Sequence, residues 1–280
     1  TKRKTMNESN RIVNGLWIGN ELSALEQLCI QSFIKNGHTF QLWTYNNINN
    51  IPAGTIIKNA NAIIDSQDIF SYTNTNKFGH GKGSYAGFSD IFRYKLLFEL
   101  GGWWTDMDIT CLKKLDFEDD YVFRQNGTKG VVGNLMKCPP NSNLMQFCYE
   151  NATQKINQHN KDWMLPINIL NSGIEKFNLN RFIKQISSED SWVLVAKLLT
   201  TDTNLNKDWY AIHWMNEEWR RHQLDKTKFL HDSTIQQLLH DYDIKHQLLD
   251  KNEKMRLKFN LSKWNYRILN IKARINWLFN

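Results

Sequence analysis

The chain has 280 residues, of which 41% are hydrophobic and 12% aromatic, so it can bury a substantial core and is excluded from the disordered class. No apolar run approaches the roughly 20 residues that span a bilayer. No apolar segment follows the basic start Thr1-Lys2-Arg3-Lys4-Thr5 to make a signal peptide, so a cytoplasmic protein is expected. The net charge of +7 is carried mostly by the last stretch, where Arg256, Lys258, Lys263, Arg267, Lys272 and Arg274 occur without an acidic residue from Met255 onward. Cys29, Cys111, Cys138 and Cys148 lack paired metal-ligand spacing and read as buried reduced thiols.

In chain order, residues 11–18 read as a first strand. Residues 21–35 follow as an amphipathic helix with Leu22, Leu25, Leu28, Cys29 and Phe33 on its apolar face, stopped at Asn36-Gly37. Residues 39–45 alternate and are aromatic, the mark of a second strand. Strand, helix, strand at this spacing opens an α/β sheet. A loop at 46–54, a short strand at 55–57 and a short helix at 59–64 come next. Residues 71–87 are polar and glycine-rich, a loop whose Gly-Lys-Gly lacks the spacing of a phosphate-binding P-loop. Ser89 is then expected to cap a helix running to Leu100, with Asp90 in its first turn and Gly101 just past its end.

Further on, strands are expected at 121–124 and 130–136, and a helix at 143–157. Residues 168–175 read as a turn opening a helix to about 186, and residues 192–199 and 209–214 as strands. In the tail, Leu257, Leu261, Trp264, Ile268, Ile271, Ile275 and Leu278 recur at steps of three and four, the pattern of one amphipathic helix. A basic helix of this kind suits an anionic membrane surface, here the inner face of the cell membrane. The plainer alternative is a terminal helix packed on the domain with its charges in water. No recognition motif accompanies the charge, so nucleic acid is not expected. The expected division is residues 1–220 as one α/β domain and residues 221–280 as a C-terminal helical region.

The chemistry concentrates in Ser89-Asp90-Ile91-Phe92-Arg93-Tyr94, which leads to Gly101-Gly102-Trp103-Trp104-Thr105-Asp106-Met107-Asp108. On a strand, a period of two sends Asp106 and Asp108 to the same side. Two hard oxygen donors at a strand end suit Mg²⁺ or Mn²⁺, which keep several waters and complete their shell with substrate phosphates.

A bare Asp-x-Asp is weak evidence, but in this context the sequence resembles the DXD-containing sugar transferases of glycosyltransferase family thirty-two. That family is related to the initiating mannosyltransferase and to the clostridial toxin glucosyltransferase domains. Leu16-Trp17-Ile18-Gly19 resembles its first strand and Ala211-Ile212-His213-Trp214 its C-terminal histidine strand. The family usually has an aliphatic-aromatic pair where Trp103-Trp104 stand, and residues after about 220 fall outside the resemblance.

The resemblance implies a GT-A type, single Rossmann-like α/β domain with a mixed central sheet, followed here by a C-terminal helical appendage. It also implies a nucleotide-sugar donor, favouring UDP, a divalent Mn²⁺ or Mg²⁺, and retention of anomeric configuration. The acceptor implied is a glycan or lipid-linked glycan of cell-surface polysaccharide or lipopolysaccharide synthesis. By the same resemblance Asp108 is a metal ligand, and Asp106 contacts metal, ribose or both. His213 is a metal or diphosphate ligand with Trp214 beside the cofactor, Asp90 bonds the donor ribose or sugar, Arg93 holds a donor hydroxyl or the aspartates, and Trp17 lies against the base. Asn168 and Asn171 fall where related enzymes carry an active-site turn, but the family's Gly-Pro is absent, since Ile174 follows Gly173.

Each residue also has a structural reading: a first-turn charge for Asp90, an ion pair for Arg93, and core packing for Trp17 and His213. Asp106-Met107-Asp108-Ile109-Thr110 also satisfies the pattern of haloacid-dehalogenase-type phosphatases, with Asp106 as nucleophile. That pattern belongs on a first strand, and Asp119-Asp120 comes too soon to serve as its later acidic pair. An inactive sugar-binding relative is the third alternative.

Overall fold

The structure, a computed structural model, describes residues 6–279, so the basic stretch 1–5 lies outside the described residues. Strand β1 (Ile12–Trp17) feeds helix α1 (Ala24–Lys35). The helix starts later than its apolar periodicity suggests because Ser23 and Glu26 form a capping box, in which the Ser23 amide donates to the Glu26 carboxylate at 2.8 Å. Strands β2 (Thr39–Thr44) and β3 (Ile56–Asn59) add in parallel beside β1.

Helix α2 (Ala86–Leu100) begins before the expected Ser89. The Ser84 hydroxyl receives the Ala86 amide at 3.2 Å, and Ser89 and Asp90 fall inside the helix rather than at its cap and first turn. The helix stops at Gly101, whose φ of 65° only glycine adopts freely and whose missing Cβ leaves room for Pro140.

Strand β4 (Gly102–Thr105) follows, then β5 (Ile109–Cys111). Alternation along β4 sends Trp103 into the core on the α1 side and Trp104 into the core on the α2 side, so the two indoles pack opposite faces of one sheet. Strand β6 (Val122–Gln125) and the fully buried β7 (Val131–Cys138) then lead to helices α3 (Asn143–Lys155) and α4 (Leu165–Lys176). Residues 168–175 are therefore the body of α4, started by Pro166 in its first turn, and not a turn. In place of the expected continuation towards 186 stands the short strand β8 (Ile183–Lys184).

Residues 192–199 form a helix, α5 (Trp192–Thr200), where a strand was expected. Its buried positions Trp192, Val195, Leu198 and Leu199 follow helical spacing, Val193 is 63% exposed, and the Ser191 hydroxyl caps the Leu194 amide. A short apolar run does not distinguish these states by itself.

The chain continues through β9 (Ala211–His213), α6 (Asn216–Arg221), β10 (Lys228–Phe229), α7 (Thr234–Asp241) and β11 (Gln247–Leu248). The tail is two helices, α8 (Lys251–Asn260) and α9 (Lys263–Leu278), not one, because Ser262 breaks the run and caps the second at Asn265.

The main sheet is mixed, in the order β3-β2-β1-β4-β7-β6-β8, with β1 to β4 parallel and β7 antiparallel to both β4 and β6. This is the α/β class with a mixed central sheet that the sequence led one to expect. A third apolar cluster joins Leu25 and Leu28 of α1 to α5, Trp214, Trp219 and α7, so residues up to Ile244 share the core. All four cysteines are buried and free. No helix among the described residues is long and apolar enough to cross a membrane.

Candidate active site

Where β1, β4 and β7 meet α2 and β9, a cavity of about 870 Å³ opens, within the range of small-molecule sites. Its walls include Trp17, Asp90, Arg93, Asp106, Asp108 and His213. Asp106 and Asp108 do not lie on a strand. They occupy the turn between β4 and β5, so the period of two no longer sets their direction, and each carboxylate meets a different cation.

Asp106 lies just past the end of β4, where its amide donates to the Asn134 carbonyl at 2.8 Å. It accepts the Trp104 indole N–H at 2.8 Å and stands 3.8 Å from the Arg93 guanidinium, which is also bonded to Asp90 one helical turn away. Gly133 of β7 leaves the space that Arg93 fills, since a Cβ there would collide with Nη1. Arg93 lies over the Trp104 ring at 5.5 Å, and its Nε is buried without a hydrogen-bond partner. Burial pushes Asp90 up to about 6, overcoming the one Arg93 that it shares with Asp106. Burial likewise raises Asp106, with the Asp108 charge adding to it against Arg93.

Asp108 faces β9. Its Oδ2 lies 3.2 Å from His213 Nε2 and accepts the Asn216 amide at 2.7 Å. Antiparallel pairing of Ile109 with His213 fixes this approach. Behind the imidazole, His213 Nδ1 donates to Asp190 at 2.7 Å. Asp190 accepts from Arg124 at 2.5 Å and from the Asn126 amide nitrogen at 2.8 Å. Arg124 is fully buried and also bonds Asn134, Ser187 and the Ser188 carbonyl.

Burial alone would lower the His213 pKa, but Asp190 and Asp108 outweigh it and hold the imidazolium up to about 10. Burial would raise both carboxylates, yet His213 draws Asp108 below its ordinary value, and His213 with Arg124 does the same to Asp190.

The structure thus brings Asp90, Arg93, Asp106, Asp108 and His213 to one cavity, with Trp17 at its edge, where the Trp17 indole N–H donates to the Glu21 carbonyl at 3.0 Å. It does not bring Trp214, expected beside the cofactor. That indole is fully buried in the third cluster and donates to Thr110 at 2.7 Å, because alternation on β9 points it away from His213. Asn171 is spent on the backbone of Val131. Asp119 pairs with Lys184 at 2.8 Å and neither it nor Asp120 lines the cavity, so that pair does not serve the phosphatase pattern.

Sequence reasoning missed Asp190, Arg124 and Lys226. Lys226 lines the cavity and bonds Glu26 of α1 at 2.8 Å. None of the three carries a local motif, and only recognising Ser191 as a helix cap would have set Asp190 apart from its polar run.

Among the described residues no three His, Cys, Asp or Glu side chains converge as a metal cage. Asp108 and His213 do converge, with Asp190 fixing the imidazole from behind in the carboxylate–histidine arrangement of metal sites. This donor pair fits a divalent ion that takes one or two protein ligands and fills its shell from substrate phosphates.

The carboxylate turn floors a large cavity at strand ends of the mixed sheet, the place where open α/β sheets bind their ligands. Residues 23–129 match the family described as glycosyltransferase sugar-binding region containing DXD motif. That stretch runs from the cap of α1 past the Asp106–Asp108 turn and takes in a little over a third of the chain. No curated protein matches the chain. Among solved structures it is similar to the PaToxG glycosyltransferase, with 14% identity over 60% of this chain and 68% of that one, at a TM-score of 0.41. It is also similar to the WbbM bifunctional glycosyltransferase in its apo form, with 10% identity over 97% of this chain and 53% of that one, at a TM-score of 0.44. A third similarity is to the apo glycosyltransferase GlyE of Streptococcus pneumoniae TIGR4, with 11% identity over 93% of this chain and 64% of that one, at a TM-score of 0.39.

Proposed function

We propose that the protein is a metal-dependent, retaining glycosyltransferase that moves a sugar from a nucleotide-sugar donor, a UDP-sugar by preference, to a glycan acceptor. The observation that carries this reading is the Asp106–Asp108 turn, set between Arg93 and His213 in one cavity and lying within the matched sugar-binding region. In this reading residues 1–220 carry the transferase chemistry, and residues 221–280 complete the unit, sharing its core up to Ile244 and adding Lys226, Tyr266 and Asn270 to the cavity wall.

Asp108 and His213 would hold a divalent ion, which would supply charge stabilisation for the diphosphate leaving group. Arg93, with its unpartnered Nε, and Asp90 bind donor hydroxyls, while Asp106 orients Arg93 and reaches the ribose. Trp17 offers an apolar ring to the base at the cavity edge. In the transfer, the bond between the anomeric carbon and the diphosphate oxygen breaks. The acceptor oxygen bonds that carbon on the same face, and the acceptor proton passes to the departing diphosphate. The acceptor proposed is a growing lipopolysaccharide, capsule or other lipid-linked glycan at the inner face of the membrane.

A screen of nucleotide sugars with Mn²⁺, reading donor hydrolysis, tests the reading. One donor should be turned over by the wild type and not by folded Asp108→Asn. Turnover by Asp108→Asn at the wild-type rate, or with metal chelated, would sink it.

A further inference from the structure

Helix α9 has two unlike faces. At about 100° per residue, Tyr266, Asn270 and Ala273 share one side of it. Tyr266 stacks on His222 with ring centroids 6.0 Å apart and planes 9° apart, and Asn270 accepts from Arg221. Ala273 lies against Gly79, and Arg274, on the flank, stands over the Phe78 ring at 5.5 Å. Tyr266 and Asn270 line the cavity described above, so α9 forms part of its wall.

The opposite side carries Trp264, Ile268, Ile271, Ile275 and Leu278 as a continuous stripe. Trp264 is 66%, Ile271 58% and Leu278 71% exposed, and no residue of α8 or α9 is fully buried. Lys263, Arg267 and Arg274 edge this stripe on one side and Lys272 on the other, all exposed. Phe259 and Met255 of α8 are exposed with Arg256 and Lys258 between and beside them.

We propose that α9 docks this stripe on an anionic lipid bilayer, lying in the interface while its inner side walls the cavity. The charge pattern selects the occupant. A second copy of the chain would set basic flank against basic flank, whereas anionic headgroups complement both edges of an apolar stripe that sinks to the acyl boundary. The helix is not long and apolar enough to cross, so it lies flat. Because Tyr266 and Asn270 are on its other side, docking holds the cavity wall at the headgroup layer, where the sugar end of a lipid-linked acceptor resides. That last placement rests on the transferase reading; the docking itself does not.

The test uses the 280-residue chain with vesicles of phosphatidylcholine, alone or with phosphatidylglycerol, read by co-sedimentation and by the blue shift of tryptophan emission. The wild type should bind the anionic vesicles only, and less as salt rises. Arg267→Gln with Lys272→Gln should weaken partition roughly fivefold for each charge removed. Trp264→Ser with Ile271→Ser should abolish the blue shift, and both pairs should hydrolyse a soluble donor as the wild type does. Equal binding to neutral vesicles, or variants that bind unchanged, would overturn the proposal. So would a dimer in sedimentation velocity that Trp264→Ser dissolves, which would assign the stripe to a second copy. A wild type that turns over a donor yet does not bind the anionic vesicles would overturn this proposal alone and leave the transferase reading standing.

Discussion

Replacing Asp190 with Asn keeps the shape of a buried side chain and removes the charge that two cations share. Asp190 accepts from Arg124 at 2.5 Å, from His213 at 2.7 Å and from Asn126 at 2.8 Å. An amide offers one acceptor oxygen and two donor hydrogens, so one of these three donors must face another donor. Arg124 cannot shed its proton, and removing one partner of a buried pair typically costs about 3–5 kcal/mol. Asn134 and Ser188 still hold Arg124 at 3.1 and 2.8 Å, which argues for the lower end, about 3 kcal/mol. In a chain of this size that lowers Tm by roughly 6–12 °C. The imidazole also loses the carboxylate that fixes its Nδ1 proton and leaves Nε2 towards Asp108, so Mn²⁺ affinity should fall by about 10–100-fold. Calorimetry of the metal-free protein near neutral pH reads the first effect, and electron paramagnetic resonance titration with Mn²⁺ reads the second. If Asp190→Asn kept both the Tm and the Mn²⁺ affinity of the wild type, the assignment of Asp190 as the support of His213 would be wrong.

The Asp90 pKa of about 6 lies above its ordinary 3.8, so its contribution to stability is complete below the ordinary value and is lost as pH rises through the folded one. Denaturation of the wild type and Asp90→Asn should therefore show the wild type losing roughly 3 kcal/mol relative to the variant between about pH 4 and pH 7, and a pH-independent difference would contradict the burial argument. In Gly133→Ala the new methyl displaces Arg93 from its place by Asp90 and Trp104. Stability should fall by about 1–3 kcal/mol, and calorimetric titration with the nucleotide sugar found in the screen should show weakened donor binding. Wild-type behaviour on both counts would show that Arg93 is not confined there.

The parts of the site that were legible in the sequence are those set by local chemistry. Gly101 and Gly102 announce the break before β4, and the spacing of Asp90, Arg93, Asp106 and Asp108 survives folding as one wall of the cavity. The parts that were not legible depend on partners far along the chain. Nothing in Ser187-Ser188-Glu189-Asp190 says that Arg124 will cross to it, and Trp214 could not be placed until β9 paired with β5 and fixed which side faced the cavity. The error at Trp192 is of another kind. Its run of apolar residues reads equally as strand or helix, and packing against α1 and α7 decides the matter.

The pairing of β5 with β9 also has a consequence for how the chain is made. The Asn216 amide that binds Asp108 is 108 residues further along, and the Trp214 indole on Thr110 is 104 residues away. At 5–20 residues per second, ribosomes deliver Asp108 roughly 5–20 s before its partners exist. Through that interval Ile109-Thr110-Cys111 lacks its partner strand, with Cys111 held by Ser32 and Asn36 of the earlier helix. The step that pairs this strand is the same step that sets His213 against Asp108. Damage to β9 is therefore felt during synthesis, in chains that leave β5 unpaired, before it is felt as lost chemistry in those that fold.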